Sequence, residues 1–442
     1  MARGDRPAVS GPHTGRQAVE AVWRMESARI VSTLARFTGD FALAEDLAQE
    51  ALAEALVAWS RNGVPRNPAG WLLTVGRRRA IDSFRRRSAL DERYAALAHD
   101  LEQDGATSGL AGTPVIAAPD NALPWDPDHI DDDVLALIFV ACHPVLPREA
   151  QVALTLRVVG GLTSDEIARA FLVPTATVQA RITRAKKTLA AAQVPFTVPP
   201  AEEYRARLGS VLSVLYLIFT EGSTATSGTD WIRPDLAREA VRLTRVLVRL
   251  VPDEPEAHGL LALLELTIAR FPARISDDGE PVLLEQQDRR RWDRAAIRRG
   301  RAALAQAGRV GRGLGAYGLQ AAIAECHAVA ASVDETDWDR IVLLYEALCR
   351  LAPSPVVELN RAVAISMAQG PAAALAVVDG LVAAGSLAGS HLLPSVRGEL
   401  LRRLGRTEEA RDELEAAVRL AGNERERDLL QGKLDALHCR QE

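Results

Sequence analysis

Residues 162–190, LTSDEIARAFLVPTATVQARITRAKKTLA, carry the residue types and spacing best suited to gripping a polyanion. Thr163 followed three positions on by Glu166 forms a capping box that opens a short helix, and Leu162, Ile167 and Phe171 give that helix a buried side. Leu172, Val173 and Pro174 then force a turn. A second helix starts near Thr175 and carries Arg181, Arg184, Lys186 and Lys187 with no acid before Ala192. Ala168 and Val178 stand where a helix-turn-helix needs a small residue at the helix crossing and a β-branched residue in the core between the helices. Leu172 occupies the turn position that usually holds glycine. Such a second helix lies in the major groove, where exposed side chains read base edges and cations fix position on phosphates. Thr175, Thr177, Gln179, Ala180, Thr183 and Arg184 fall on the outer face, and Arg181, Lys186 and Lys187 suit phosphates. A basic hairpin with a merely solvated face is the plainer alternative.

A second segment, NPAGWLLTVGRRRAIDSFRRR at 67–87, sets two arginine triplets, Arg77 to Arg79 and Arg85 to Arg87, beside only one acid, Asp82. Trp71, Leu72, Val75, Ile81 and Phe84 are expected to face a core, so the triplets line the other side. Solvated helices usually mix charge signs, and this face asks for a polyanion. Upstream, DFALAEDLAQEALAEALVAW at 40–59 gathers Asp46, Gln49, Glu50 and Glu54 at helical spacings, with Leu43, Leu47 and Leu56 expected inward. An acidic stripe beside a basic one suits a protein partner for the first and DNA for the second, although ordinary solubility also explains acids on a surface.

The elements that must hold these residues are helices. Aromatic residues make up 5% of the 442 and alternating β-branched runs are few, so the fold class is all-α. That length calls for several domains. A net charge of −5 excludes a protein that coats nucleic acid by bulk charge, yet the average hides segregation. Nine arginines lie between Arg61 and Arg93, whereas Tyr94 to Pro147 holds nine acids and neither lysine nor arginine. The boundaries expected are a first helical domain at 15–93, an acidic linker at 94–130, a second helical domain at 131–192, a helical middle segment at 201–310 and helical repeats at 316–438. VPFTVPP separates the second domain from the helical middle segment.

An internal repeat marks the last part of the chain. VRLVPDEPEA (248–257) resembles CRLAPSPVVE (349–358) 101 residues later, read as three periods of about 34 residues. AVRLAGNE (417–424) follows after 69 more. AQGPAAALAVVDGL (368–381) and RLGRTEEARDELEAAV (403–418) share a glycine turn and small residues in the next helix. These are marks of tetratricopeptide-like hairpins, each of which needs a stacked neighbour to bury its apolar face. A plain helical array is the competing reading.

The four cysteines form no C-x-x-C, and the neighbours Cys142-His143, Cys326-His327 and His438-Cys439 point about 100° apart on a helix, so no metal site and no cofactor is expected. No stretch reaches the roughly 18 apolar residues that span a bilayer. A cytoplasmic protein is expected.

The pair DFALAEDLAQEAL and WLLTVGRRRAIDSFRRR is similar to sigma region 2, and LTSDEIARAFLVPTATVQARITRAKK is similar to sigma region 4. Their order, and the lack of a domain between them, resemble extracytoplasmic-function RNA polymerase sigma factors. ACHPVLPREAQVALTLRVVGGLT, LSVLYLIFTEG, VLLEQQDRRRWDR, TDWDRIVLLYEAL and PSPVVELNRAVA resemble the subgroup with a C-terminal tetratricopeptide-like extension. The resemblance implies core RNA polymerase and promoter DNA as partners, with contacts to the β′ clamp helices and the β flap. By it, Asp46, Gln49, Glu50 and Glu54 meet polymerase. Asn62, Arg66 and Asn67 in the loop, with Arg77, Arg78, Arg79, Arg85, Arg86 and Arg87, engage the melted minus-10 strand, where an unstacked base exposes edges that a duplex hides. Gln179, Ala180, Thr183 and Arg184 correspond to positions reading the minus-35 element. The acidic linker is expected to thread through polymerase toward the RNA exit path. The extension stands in place of the usual membrane anti-sigma control, with an unidentified protein or ligand as its own partner.

Two other readings compete. One is a helix-turn-helix regulator with a sensing repeat domain, which needs neither the basic segment at 77–87 nor the acidic stripe at 46–54. The other is an enzyme built on Glu285, Asp288, Arg291, Trp292 and Asp293, which lack any accompanying nucleophile, phosphate loop or metal set. An ion-paired junction is the plainer reading of that cluster.

Overall fold

The computed structural model describes residues 12–103, 127–171, 173–223, 233–276, 282, 284–422 and 424–438. Among them every regular element is helical, as eighteen α-helices and three short 3-10 turns. The expected all-α class is the observed one. The chain divides into two compact units, residues 1–169 with 173–211, and residues 212–442 with 170–172.

The first unit opens with α1 (Pro12–Thr38), α2 (Phe41–Asn62) and α3 (Pro68–Gln103). Asp40 caps α2 by accepting from the Leu43 amide at 3.1 Å, and Gly63, at φ 80°, ends it by returning its N–H to the Trp59 carbonyl. Positive φ costs glycine nothing, which is why the helix stops there. Ile30, Leu34, Ala48, Ala51, Ala55, Trp59, Leu72 and Val75 form the core of this bundle. The small alanines of α2 let its neighbours approach closely. Two expectations are corrected: Leu56 and Ile81 lie on the surface, because the buried stripe of α2 runs through Ala44, Ala48, Ala51 and Ala55, and that of α3 through Leu72, Leu73, Val75 and Ala80. α3 also continues ten residues into the expected linker, of which 104–126 lie outside the described residues.

The same unit contains α4 (Pro127–Ala141), α5 (Arg148–Val158), α6 (Ser164–Phe171), α7 (Thr175–Ala191) and the start of α8 (Ala201–Ser223). Leu137, Phe139, Leu154, Leu156, Ile167 and Val178 are packed inside. The Gln151 side chain donates to the carbonyls of His143 and Leu146, satisfying a loop that would otherwise bury unpaired oxygens. Residues 194–200 form no helix, so the break falls where VPFTVPP predicts it, while the division between compact units falls inside α8.

The second unit runs through α9 (Pro234–Leu250), α10 (Pro255–Ile268), α11 (Arg294–Val310), α12 (Ala316–Val329), α13 (Trp338–Leu351), α14 (Pro355–Ala368), α15 (Pro371–Ala383), α16 (Leu392–Arg403), α17 (Thr407–Leu420) and α18 (Glu424–His438). Proline stands at the start of α9, α10, α14 and α15, where its missing N–H and fixed φ cost the helix nothing. The two similar segments at 248–257 and 349–358 are equivalent turns, between α9 and α10 and between α13 and α14. Only the pair α11 and α12 intervenes, so the reading of three periods is corrected to two. The surplus length is the irregular stretch between α10 and α11, with its 3-10 turns at Phe271–Ala273, Leu284–Gln286 and Arg289–Arg291. Ile341, Leu359, Ala362, Ala374, Val378, Leu401, Ala410, Leu414 and Leu434 make the shared core of the later hairpins.

Two of the three carboxylates weighed for an enzyme, Asp288 and Asp293, serve as caps. Asp288 accepts from the Arg290 amide, and Asp293 accepts from Ala295 and Ala296 at the start of α11. Trp292 is buried with the guanidinium groups of Arg270 and Arg289 over its ring, 5.5 and 5.1 Å from the centroid.

Candidate nucleic-acid interface

α6 and α7 form from local signals. Thr163 Oγ1 accepts from the Glu166 amide at 3.2 Å, and Glu166 Oε2 accepts in return from the Thr163 amide at 2.8 Å. The capping box is formed. Ala168 and Val178 are both buried, as a helix-turn-helix requires. Leu172 lies outside the described residues.

Burial of Val178, Ile182, Ala185 and Leu189 fixes the rotation of α7. It turns Gln179, Ala180, Thr183, Arg184 and Lys187 to solvent and leaves Thr175, Thr177 and Arg181 half-buried. Thr175 donates to Asp165 at 2.8 Å, so its hydroxyl braces the start of the helix. Arg184 folds back onto the Ala180 carbonyl at 3.2 Å. Lys186 departs from the expectation of an open cation. Its ammonium donates to Glu45 at 2.8 Å and to Asp46, and its side chain is only 14% exposed. Burial by itself lowers the Lys186 pKa, but those two carboxylates outweigh it and the net shift is upward.

On α2 and α3 the two stripes meet each other. Arg79 reaches Glu50 and Glu54, each at 2.8 Å, and Arg78 reaches Glu54 at 2.9 Å. The hydrogen bond from Arg79 is the main reason the Glu54 carboxyl lies below the usual range, and the same bond raises Arg79. Residues expected to touch polymerase and residues expected to touch DNA thus hold one another in place. Arg77 is half-buried with its guanidinium 5.9 Å from the centroid of Phe37. Arg85 and Arg86 are exposed and line a shallow recess with Glu50, Arg79 and Asp82. The side chain of Arg87 lies outside the described residues.

Asn62, which ends α2, and Arg66 and Asn67 in the loop before α3 are exposed. Asn67 Oδ1 accepts from the Gly70 amide at 3.0 Å, and a Cβ on Gly70 would lie 2.6 Å from its Nδ2. Glycine there is what lets Asn67 fold over the helix start. Asp46 and Glu50 are exposed, and Gln49 and Glu54 half-buried.

Sequence reasoning missed Glu45. It is 4% exposed, and Arg157 of α5 lies 3.4 Å from its other oxygen. Its neighbours Asp46, Gln49 and Glu50 look much the same in the sequence, and no local signal separates a buried carboxylate from a solvated one. Also missed were Arg24 with Glu166 and Arg36 with Asp133, pairs more than ninety residues apart. No group of three potential ligands that could hold a metal occurs among the described residues, and no helix among them is long and apolar enough to cross a membrane.

Two helical modules, one with paired acidic and basic stripes and one with a capped helix-turn-helix, define a sigma-type transcription factor. The description Sigma-70 region 2 matches residues 22–90, and Sigma-70, region 4 matches residues 136–189. Residues 207–308 match a family of unknown function, DUF6596. The chain is 44% identical over 419 residues to the uncharacterized protein R00370 of Rhizobium meliloti, covering 92% of this chain and 93% of that protein. It is 27% identical over 184 residues to the probable ECF RNA polymerase sigma factor SigI of Mycobacterium tuberculosis, covering 42% of this chain and 58% of that one. The chain belongs to the extracytoplasmic-function sigma factors of the sigma-70 family, in a form that carries a C-terminal helical extension.

Proposed function

We propose that this sigma factor joins core RNA polymerase through the acidic face of α2 and opens promoters with the basic face beside it. Asp46, Gln49, Glu50 and Glu54 meet the β′ clamp helices, and region 4 meets the β flap. The loop from Asn62 to Asn67, with Arg77 to Arg79 and Arg85 to Arg87, holds the melted minus-10 strand. α7 enters the major groove at the minus-35 element. Gln179 and Arg184 read base edges there, Ala180 and Thr183 offer small contacts, and Arg181, Lys186 and Lys187 sit on phosphates. The observation that carries this reading is the outer face of α7: Gln179, Ala180, Thr183, Arg184 and Lys187 are exposed on a helix that holds no acid.

The helical hairpins after α8 regulate that activity. The R00370 relative carries the extension joined to both sigma regions, as this chain does.

The test is transcription from a reconstituted system. The full chain with bacterial core enzyme should yield a promoter-specific transcript and a salt-sensitive promoter complex, while the chain alone should bind the same duplex at least ten-fold more weakly. Tight promoter binding without core enzyme would instead identify a simple helix-turn-helix regulator.

A further inference from the structure

One strongly charged surface of the extension takes no part in the promoter contacts of regions 2 and 4. From Arg294 to Arg312 there are six arginines, and no acid follows Asp293 until Glu325. Five of the six lie on α11, whose rotation is fixed by its buried side, Ala296, Ile297, Gly300, Ala303, Leu304 and Ala307. At about 100° per residue, Arg294, Arg298, Arg301 and Arg309 then fall within an arc of about 80° on the outer side. All four are exposed. At about 1.5 Å per residue they make a straight stripe about 22 Å long.

Little neutralises this stripe. Arg301 pairs with Glu325 of α12 at 2.8 Å, whereas Arg294, Arg298 and Arg309 meet no carboxylate among the described residues. Beside them Arg299 of α11 and Arg245 of α9 close over Glu265 of α10, two exposed cations on one buried acid. Arg294 stands in the first turn of α11, where the helix dipole favours an acid over a cation. Its charge works against the helix that carries it.

The side chains around the arginines decide which polyanion fits. α9, α10 and α11 contain no Phe, Tyr or Trp, and none of their large apolar side chains is exposed. Ala302, Ala305 and Gly308 are the exposed residues among the arginines. A protein interface needs apolar or aromatic anchors, and a single strand needs aromatic platforms for its bases. This face offers neither. A duplex backbone needs only cations on a surface that it can approach closely. We infer that the α11 stripe grips the phosphates of duplex DNA irrespective of sequence, chiefly through Arg294, Arg298 and Arg309. The extension thereby adds a backbone anchor beyond the minus-10 and minus-35 contacts. The anchor depends on neither core enzyme nor a promoter.

The test titrates the free full-length chain onto a labelled duplex of scrambled sequence, read by fluorescence anisotropy at several salt concentrations. The triple variant Arg294→Gln, Arg298→Gln, Arg309→Gln is compared with a charge-matched control, Arg340→Gln, Arg350→Gln, Arg419→Gln, whose three arginines are exposed in the same unit but off the stripe. Glutamine keeps a helix propensity close to that of arginine, and circular dichroism checks that helix content is unchanged. Each phosphate contact contributes about 0.9 to the slope of log affinity against log salt, so the stripe variant should flatten it by about 2.7. Its deficit against the parent chain should shrink about 40-fold between roughly 50 and 200 mM salt. The control should keep the parent slope. Should the triple variant not fold, the pair Arg294→Gln, Arg298→Gln should flatten the slope by about 1.8. The inference is overturned if the stripe variant keeps the parent slope or changes it no more than the control does. Unchanged duplex binding with weakened binding of core enzyme overturns it too, and makes the stripe a protein-docking face. So does a preference for single-stranded RNA over duplex that the stripe variant loses. Failure of the chain to bind core enzyme would remove the sigma-factor reading and leave this measurement standing, because neither core enzyme nor a promoter enters it.

Discussion

Arg181 and Lys187 lie on α7 at positions that flank its base-reading edge, Arg181 half-buried and Lys187 exposed. If both sit on phosphates, replacing them with alanine removes two counterion-releasing contacts and leaves the edge of Gln179 and Arg184 untouched. On duplex DNA each such contact contributes about 0.9 to the slope of log affinity against log salt, so the double variant should flatten the slope by about 1.8. Over a four-fold rise in salt, from roughly 50 to 200 mM, one contact is worth about 3.5-fold in affinity and two about 12-fold. The double variant should therefore bind more weakly at low salt, and its deficit should shrink by that factor at high salt. The companion variant Gln179→Ala should behave oppositely: an unchanged salt slope, and a loss of about 1 to 3 kcal/mol in discrimination between the preferred base pair and a mismatch. Fluorescence anisotropy of the core-bound complex on labelled promoter DNA at several salt concentrations measures both. An unaltered slope in the double variant would show that α7 does not face phosphates as its burial pattern requires.

Packing sets further outcomes. Gly259 of α10 approaches α12 so closely that a Cβ would lie 2.7 Å from the Gly318 amide nitrogen, whereas a Cβ on Gly432 of α18 meets nothing within 4 Å. Both substitutions to alanine gain about 1 kcal/mol of helix propensity, but at Gly259 backbone has to move, at about 1 to 3 kcal/mol, so Gly259→Ala should destabilise the second unit while Gly432→Ala stabilises it. Urea denaturation of the two variants reads the opposite signs, and equal shifts would count against the close crossing. His327 is held neutral, its pKa pushed down to about 4 first by burial and then by Arg270 and Arg289. The unfolded imidazole binds a proton near pH 6.5 and the folded one does not, so stability is complete above that value, falls as pH drops from about 6.5 to 4, and levels off below. The loss between pH 7 and pH 5 should be about 2 kcal/mol, and His327→Gln should remove most of it in the same urea titration at the two pH values.

Local interactions account for what the amino-acid order determined by itself. The Thr163 and Glu166 cap, the acid-free α7 and the buried positions Ala168 and Val178 depend on neighbours within about ten residues, and each stands in the structure as read. So do the helical class and the two families of charge on α2 and α3. Tertiary structure decided the rest. Leu56 and Ile81 face water because the buried stripe of α2 runs through Ala44, Leu47, Ala48, Ala51 and Ala55 and that of α3 through Leu72, Leu73, Val75 and Ala80, and helical periodicity alone does not tell which edge of an apolar stripe a partner will cover. The 101-residue repeat spans two hairpins rather than three, since an irregular stretch before α11 lengthens it, and length does not reveal which residues are helix. Glu45 is buried and Lys186 is drawn to it from 141 positions away. Charge burial is set by what packs opposite, and that partner comes from a distant part of the chain.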